Sequence, residues 1–288
     1  MNKIKKLIFN IITLGIYKKI QKQSKLENLV QDLREIVLSY KNDKNLSKSI
    51  NPLNKFGKKC FSQTDEDGIT IEILRRINHL EKGTFAEFGP GNGMENNTLL
   101  LKSLGWKGFW VGNENLKFNV KNNDNFIYIK EFITLKNIIQ LAMSAKKEIN
   151  VQNLDVISLD LDGNDFHLVN ELLKNNFRPK LFIVEYNAKF PPPIKWIMNY
   201  NEKHFWDGTD YFGASLSSFV DLFEKKDYFL ACCNFFSGAN AFFVDLKYKE
   251  FFKDIPNEIS EIYVPPRYML PYSFGHSQSI KTISSLFD

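Results

Sequence analysis

The sequence predicts an α/β fold: a mostly parallel sheet covered by crossover helices, closed by an antiparallel hairpin near the carboxyl end, with a helical extension at the amino end. Three observations predict it. From about residue 60, short apolar runs alternate with amphipathic stretches, the pattern of strands joined by helices in a parallel sheet. Phe85-Ala86-Glu87-Phe88 runs straight into Gly89-Pro90-Gly91-Asn92-Gly93, which reads as a strand breaking into a tight loop. Past residue 225 the rhythm changes, and two apolar runs flank Phe235–Asn240 as in a hairpin.

Length and composition set the bounds. The 288 residues suffice for one full α/β core with an appendage. Hydrophobic content of 43% and charged content of 25% are those of a globular chain, and 26 phenylalanines suggest an aromatic core or pocket. The net charge of +5 belongs to one end: residues 1–25 hold Lys3, Lys5, Lys6, Lys18, Lys19, Lys22 and Lys25 and no acid, and subtracting those seven leaves −2. A body of that charge is not expected to bind nucleic acid. Cys60, Cys232 and Cys233 lack the number and spacing of a disulfide framework or a zinc site, a usage that fits a reducing cytoplasm.

The elements follow in order. Leu7–Tyr17 is too short to span a bilayer and no small-residue cleavage site follows it. Residues 1–25, basic and partly apolar, suit peripheral contact with the inner face of an anionic membrane; packing on the main domain is the other reading. Leu26, Leu29, Leu33, Ile36 and Tyr40 repeat with 3-4-3-4 spacing, an amphipathic helix whose seam could join a homodimer or pack on the domain. Residues 41–55 read as a linker, so the basic segment and helix occupy 1–55 and the main domain 56–288. Strands are expected at Thr84–Phe88, Gly108–Val111, Phe126–Ile129, Asp155–Asp160 and Lys180–Glu185, then Tyr228–Asn234 and Ala241–Asp245 in the hairpin. Helices are expected at Gly68–Asn78, Asn97–Leu104, Leu135–Ala145 and Phe166–Asn175. Residues 188–213, with Phe190, Trp196, Tyr200, Phe205, Trp206 and Tyr211, form a long irregular segment of the kind that covers a site, its aromatic faces suited to a sugar.

The glycine loop is the first chemical signal. Its third glycine comes one position too early for the dinucleotide fingerprint, where Met94 stands. The spacing E-x-G-x-G-x-G resembles instead the glycine loop of S-adenosylmethionine (SAM) methyltransferases. That resemblance implies that Gly89, Gly91 and Gly93 approach the cofactor beyond the carboxyl ends of the strands, with the helix near Asn97 offering its amides. It implies also that Glu87 holds the ammonium group of SAM and that Glu114, after the second strand, binds the ribose hydroxyls. Glu131, after the third strand, borders the adenine or faces solvent.

The second signal is acidic. Asp160 and Asp162, two apart at a strand end, can face one side, and Glu185 and Asn187 stand likewise after the next strand. Carboxylates gathered together repel one another and call for a cation, and an oxygen set of this kind suits Mg²⁺ or Mn²⁺. Asp160, Glu185 and Asn187 are the expected metal ligands; turn capping and cofactor contact without metal is the alternative. A metal would lower the pKa of a bound hydroxyl for a base to deprotonate. Asp162, Asp165 and His204 are the candidate catalytic groups, with His276 a further choice for the base. Arg267 is a candidate partner for a phosphate.

Ser62-Gln63-x-Asp65-Glu66-Asp67-Gly68, Asp155–Gly163, and Arg178-Pro179 leading to Val184-Glu185-Tyr186-Asn187 together resemble FkbM-type methyltransferases over residues 60–245. The resemblance implies a class I SAM-methyltransferase fold, Rossmann-like, with Gln63 and Asp67 near the cofactor. It implies O-methylation of a sugar hydroxyl, on a nucleotide-sugar or glycan, in capsule or lipopolysaccharide synthesis. Pro90 and Asn113-Glu114-Asn115 depart from the family pattern. Two rival readings are a nucleotide-sugar oxidoreductase, opposed by the glycine spacing, and a non-catalytic scaffold docked on a membrane through residues 1–40.

Overall fold

Side chains alternate between the two faces of a strand, so a sheet buried on both faces needs apolar residues at nearly every position. The strands meet that demand: Thr84–Phe88 (β1), Lys107–Gly112 (β2), Phe126–Lys130 (β3), Val156–Leu159 (β4), Leu181–Glu185 (β5), Tyr228–Cys233 (β6) and Asn240–Asp245 (β7). The computed structural model describes residues 22–27, 29–30, 46, 49–267, 280–284 and 287. β1 to β5 pair in parallel, β7 runs antiparallel between β5 and β6, and the spatial order is β3-β2-β1-β4-β5-β7-β6. This is the class I methyltransferase sheet, Rossmann-like with one reversed strand.

On one face Ala86, Phe88, Phe109, Ile157 and Phe182 pack against helices Ile138–Glu148, Asp165–Lys174 and Leu216–Glu224. On the other, Phe85, Trp110, Phe126, Val156 and Phe242 meet helices Glu66–Arg76 and Leu99–Ser103. Trp110 is fully buried, lies edge-on to Phe126 at 5.0 Å and donates its indole N–H to Thr98 Oγ1 at 2.8 Å. Its apolar bulk is thus buried without leaving a donor unmet.

Every expected strand is present, with ends shifted by a residue or two. Helix Leu216–Glu224 follows the irregular segment; Ser215 caps it by accepting from the Ser218 amide, and Leu216, Phe219 and Phe223 are buried. The linker ends earlier than residue 55. Leu53 is fully buried, Asn51 Nδ2 donates to Ala231 O at 2.8 Å, and Pro52–Phe56 forms a 3₁₀ turn. The chain forms two compact units, the first within residues 1–47 and the second holding the sheet. In the first unit, residues 22–27 and 29–30 are helical, and Leu26 and Leu29 of the seam are exposed, as is the neighbouring Val30. Leu33, Ile36, Tyr40, residues 1–21 and His276 lie outside the described residues. Among the described residues no helix is long and apolar enough to cross a membrane.

Candidate active site

The strand order reverses between β1 and β4, and beyond the carboxyl ends of strands at such a point an open α/β sheet leaves a crevice. A cleft of about 370 Å³ lies there, floored by Gly89, Gly91 and Glu114 on one side and by Asp160, Leu161 and Asp162 on the other. Phe132, His204, Phe205 and Trp206 stand at its wall.

The loop that starts the cleft is shaped by backbone approach. Gly89, at φ +92°, donates its amide to Val111 O at 2.9 Å, while Asp160 N donates to Phe88 O at 3.0 Å. A Cβ on Gly89 would lie 1.7 Å from the Asp160 carbonyl oxygen, so only glycine lets β1 and β4 close together here. Gly91, at φ +53°, faces open space instead: a Cβ would find only Glu114 Oε1, at 3.9 Å. Gly93 turns the other way, toward Phe118 and Leu116.

Glu87 has a different position from the one expected. It is buried, and its carboxylate accepts from Asn97 N (2.9 Å), Thr98 N (3.0 Å) and Thr98 Oγ1 (2.5 Å), filling the start of helix Leu99–Ser103. Burial pushes it up to about 7, although these three donors pull it down. It is therefore a structural anchor and does not line the cleft. Asn97 is buried beside it, its Nδ2 donating to Ser158 Oγ at 3.2 Å. Gln63 is exposed away from the cleft. Asp67 is buried and accepts with Oδ2 from the amides of Cys60, Phe61 and Ser62 at 2.6 to 2.8 Å, while its Oδ1 has no hydrogen-bond partner. Of the expected cofactor residues, Gly89, Gly91 and Glu114 line the cleft; Glu87, Gly93, Asn97, Gln63 and Asp67 do not.

The acids converge, with one exchange. Asp160, Asp162 and Glu185 each offer an oxygen within 4.8 Å of the others. Burial, then the charges of Asp162 and Asp165, push Asp160 well above the ordinary carboxylate range. Burial and then Asp160 do the same to Glu185, whose Oε2 is buried without a partner. Two carboxyls so placed share a proton or hold a cation. Asn187 is engaged elsewhere: its Nδ2 donates to Asp210 O (2.8 Å) and Phe212 O (2.9 Å), and its Oδ1 accepts from Lys189 N (3.2 Å), which ties down the segment 188–213. Asp162 takes its place; it sits at φ +52°, is exposed to the cleft, and is pushed up by burial and by Glu114.

The candidate bases separate as well. Asp165 is buried and accepts from Leu161 N and Gly163 N, both at 2.8 Å, so it fixes the turn and offers no free oxygen. His204 lines the cleft with Nε2 3.2 Å from Asp162 O. Arg267 donates to Phe235 O at 3.0 Å and lies over the Phe235 ring, at 4.7 Å from its centroid. Sequence reasoning missed Phe132 and Asn164. Phe132 follows Glu131 past the end of β3, where position alone signals a wall residue. Asn164, uncharged amid acids, holds the lid by exchanging hydrogen bonds with the Asn201 backbone at 2.8 and 3.1 Å.

No protein-family model matches the chain, and no curated protein matches it. Among solved structures, the chain is similar to precorrin-6y C5,15-methyltransferase from Geobacter metallireducens, with 10% identity over 67% of this chain and 98% of that one, at a TM-score of 0.34. Magnesium protoporphyrin IX methyltransferase from Synechocystis with bound SAH gives 10% identity over 76% and 99%, at 0.33. A methyltransferase of calicheamicin biosynthesis in its SAH-bound form gives 15% identity over 72% and 68%, at 0.33. What fixes the fold is the strand order itself.

Proposed function

We propose that this chain is a SAM-dependent O-methyltransferase acting on a sugar hydroxyl, of a nucleotide-activated sugar or a glycan, in capsule or lipopolysaccharide synthesis. One observation carries the methyltransferase reading: at the switch point of the sheet, Gly91 leaves open floor facing the Glu114 carboxylate, and the acid cluster stands opposite. The sugar and its pathway come from the FkbM resemblance.

The residues present fit the cofactor. The space a Cβ would fill at Gly91 admits a nucleoside against bare backbone, and the Glu114 carboxylate suits a pair of ribose hydroxyls. When bound, SAM supplies a sulfonium methyl carbon, and its sulfur leaves as the thioether of S-adenosylhomocysteine. The chain's own groups act on the acceptor. His204, and Asp162 when it holds no ion, both line the cleft and are placed to take the hydroxyl proton as the new O–CH₃ bond forms. Phe132, Phe205 and Trp206 form an apolar wall beside them.

A divalent ion also fits. Asp160, Asp162 and Glu185 are hard oxygen donors, and the orphaned Glu185 Oε2 marks a valence that no protein group fills. Mg²⁺ or Mn²⁺ held there would lower the pKa of an acceptor hydroxyl. Residues 1–25, with seven lysines and no acid, support peripheral contact with an anionic membrane, testable by vesicle co-sedimentation.

The decisive test is isothermal calorimetry with SAM and S-adenosylhomocysteine, followed by tritium transfer from labelled SAM to a sugar panel. Saturable binding of both nucleosides is expected. Binding of a nicotinamide dinucleotide in their place would transfer the case to the oxidoreductase reading.

A further inference from the structure

The cleft is negatively charged and carries no fixed cation. Glu114, Glu131, Asp160 and Asp162 line it, and neither lysine nor arginine is among its described lining residues. A divalent ion on Asp160, Asp162 and Glu185 would still leave that trio with a net negative charge. Lys136 is paired with Glu202, Lys189 with Asp210, and Arg267 with the Phe235 carbonyl.

Backbone amides are the other usual phosphate receptors. Two pairs of them near the strand ends are already taken by the chain's own acids. Glu87 takes the Asn97 and Thr98 amides, and Asp165 takes those of Leu161 and Gly163. A phosphate entering the acceptor side would thus be desolvated beside carboxylates, with no lysine or arginine among the described lining residues to receive it.

The wall offers the opposite chemistry. Phe205 is 68% exposed, with its ring centroid 5.3 Å from that of Phe132, and Trp206 is 51% exposed. The indole N–H of Trp206 is held by Thr209 O at 2.6 Å, which anchors the ring from its edge. Exposed faces of this kind hold the apolar face of a ring, and the carboxylates beside them accept from its hydroxyls.

Resting on the methyltransferase reading, we propose that the acceptor is an uncharged, hydroxyl-bearing ring that stacks on Trp206 and Phe205, and that phosphate-bearing forms of the same ring, nucleotide-linked sugars included, are rejected. Of the two acceptor forms, a glycan or simple glycoside is the substrate.

The test uses the full chain with tritiated SAM and two matched panels, methyl glycosides and the UDP or GDP conjugates of the same sugars, each with and without magnesium. Transfer to a neutral glycoside is expected with kcat/KM at least about tenfold above its conjugate. UDP and GDP should not compete. Trp206→Ala should raise the KM for the neutral acceptor by about tenfold with a smaller change in kcat, and Trp206→Phe should restore it. Preference for the conjugates, competition by either nucleotide, transfer to no neutral member, or an unmoved KM in Trp206→Ala overturns the inference. Calorimetry with S-adenosylhomocysteine on the same preparation separates the failures. Retained binding with any of those results sinks the acceptor inference alone, and absent binding sinks the methyltransferase reading.

Discussion

Two alanine substitutions two residues apart should fail in different ways, because the glycine loop has two jobs. At Gly91 the backbone is left-handed, with φ +53°, and a Cβ meets nothing nearer than Glu114 Oε1 at 3.9 Å. Alanine there carries only the intrinsic left-handed penalty, about 1–2 kcal/mol. For a domain of this size that lowers Tm by a few degrees, roughly 2–4 °C per kcal/mol. The added methyl, however, sits on the cleft floor, so affinity for SAM and S-adenosylhomocysteine should fall by about tenfold or more, the effect of losing about 1.4 kcal/mol. At Gly89 the Cβ would lie 1.7 Å from the Asp160 carbonyl oxygen and 2.8 Å from its carbon, both backbone atoms. Relieving that overlap separates β1 from β4 and endangers the Gly89 N to Val111 O and Asp160 N to Phe88 O hydrogen bonds, at about 1 kcal/mol each. With the left-handed penalty and overpacking added, the loss should exceed about 3 kcal/mol. Urea unfolding and calorimetry on both variants measure the two effects. Gly91→Ala binding the nucleosides like the parent protein would refute the cradle, and equal stability of the two variants would refute the strand-closure argument.

Further expectations concern the buried acids and the lid. Burial raises Glu87 from 4.5 to about 7, so between those values the folded state holds a proton that the unfolded chain has released. Its contribution is therefore complete below about pH 4.5 and is lost as pH rises through 7, a change of about 3 kcal/mol that Glu87→Gln should remove from the urea-derived pH profile; parallel profiles would refute it. Asp160→Asn removes like-charge repulsion from a buried cluster, so the metal-free variant should melt higher than the parent while losing about a hundredfold or more in methyl transfer. Undiminished turnover in that variant, or in the parent with a chelator, would remove the metal from the proposal. Asn187→Ala deletes the bonds to Asp210 O and Phe212 O, costing about 1–3 kcal/mol and opening residues 188–213 to limited proteolysis, read by mass spectrometry of the fragments. Trp110→Ala should cost about 3–5 kcal/mol in urea unfolding, since the indole is fully buried and bonded to Thr98.

Much of the architecture was legible because it is written locally. Apolar runs of four to six residues, too short for a helix and set at regular intervals, read as buried strands, and β1 to β7 appear where those runs stand. The bounds of helix Leu216–Glu224 are hard to read for a local reason too: its apolar positions continue an aromatic-rich stretch, and only the Ser215 cap marks where the irregular segment stops. The linker was misjudged because Leu53 is a single apolar residue among polar ones, and a lone contact gives no period.

The sequence by itself determined the sheet, the glycine loop and the presence of acids at strand ends, since each depends on neighbours within a few residues. The tertiary structure alone decided which of those acids meet. Glu87 and Asp160 are both acids at strand ends, yet one is surrounded by the Asn97 and Thr98 donors and the other faces Glu185. Asp162 meets Asp160 and Glu185, while Asn187 is held by the carbonyls of Asp210 and Phe212, more than twenty residues further along the chain, and by the Lys189 amide. A side chain's role follows from the first donor or charge it reaches in space, and chain folding sets that distance where residue spacing does not.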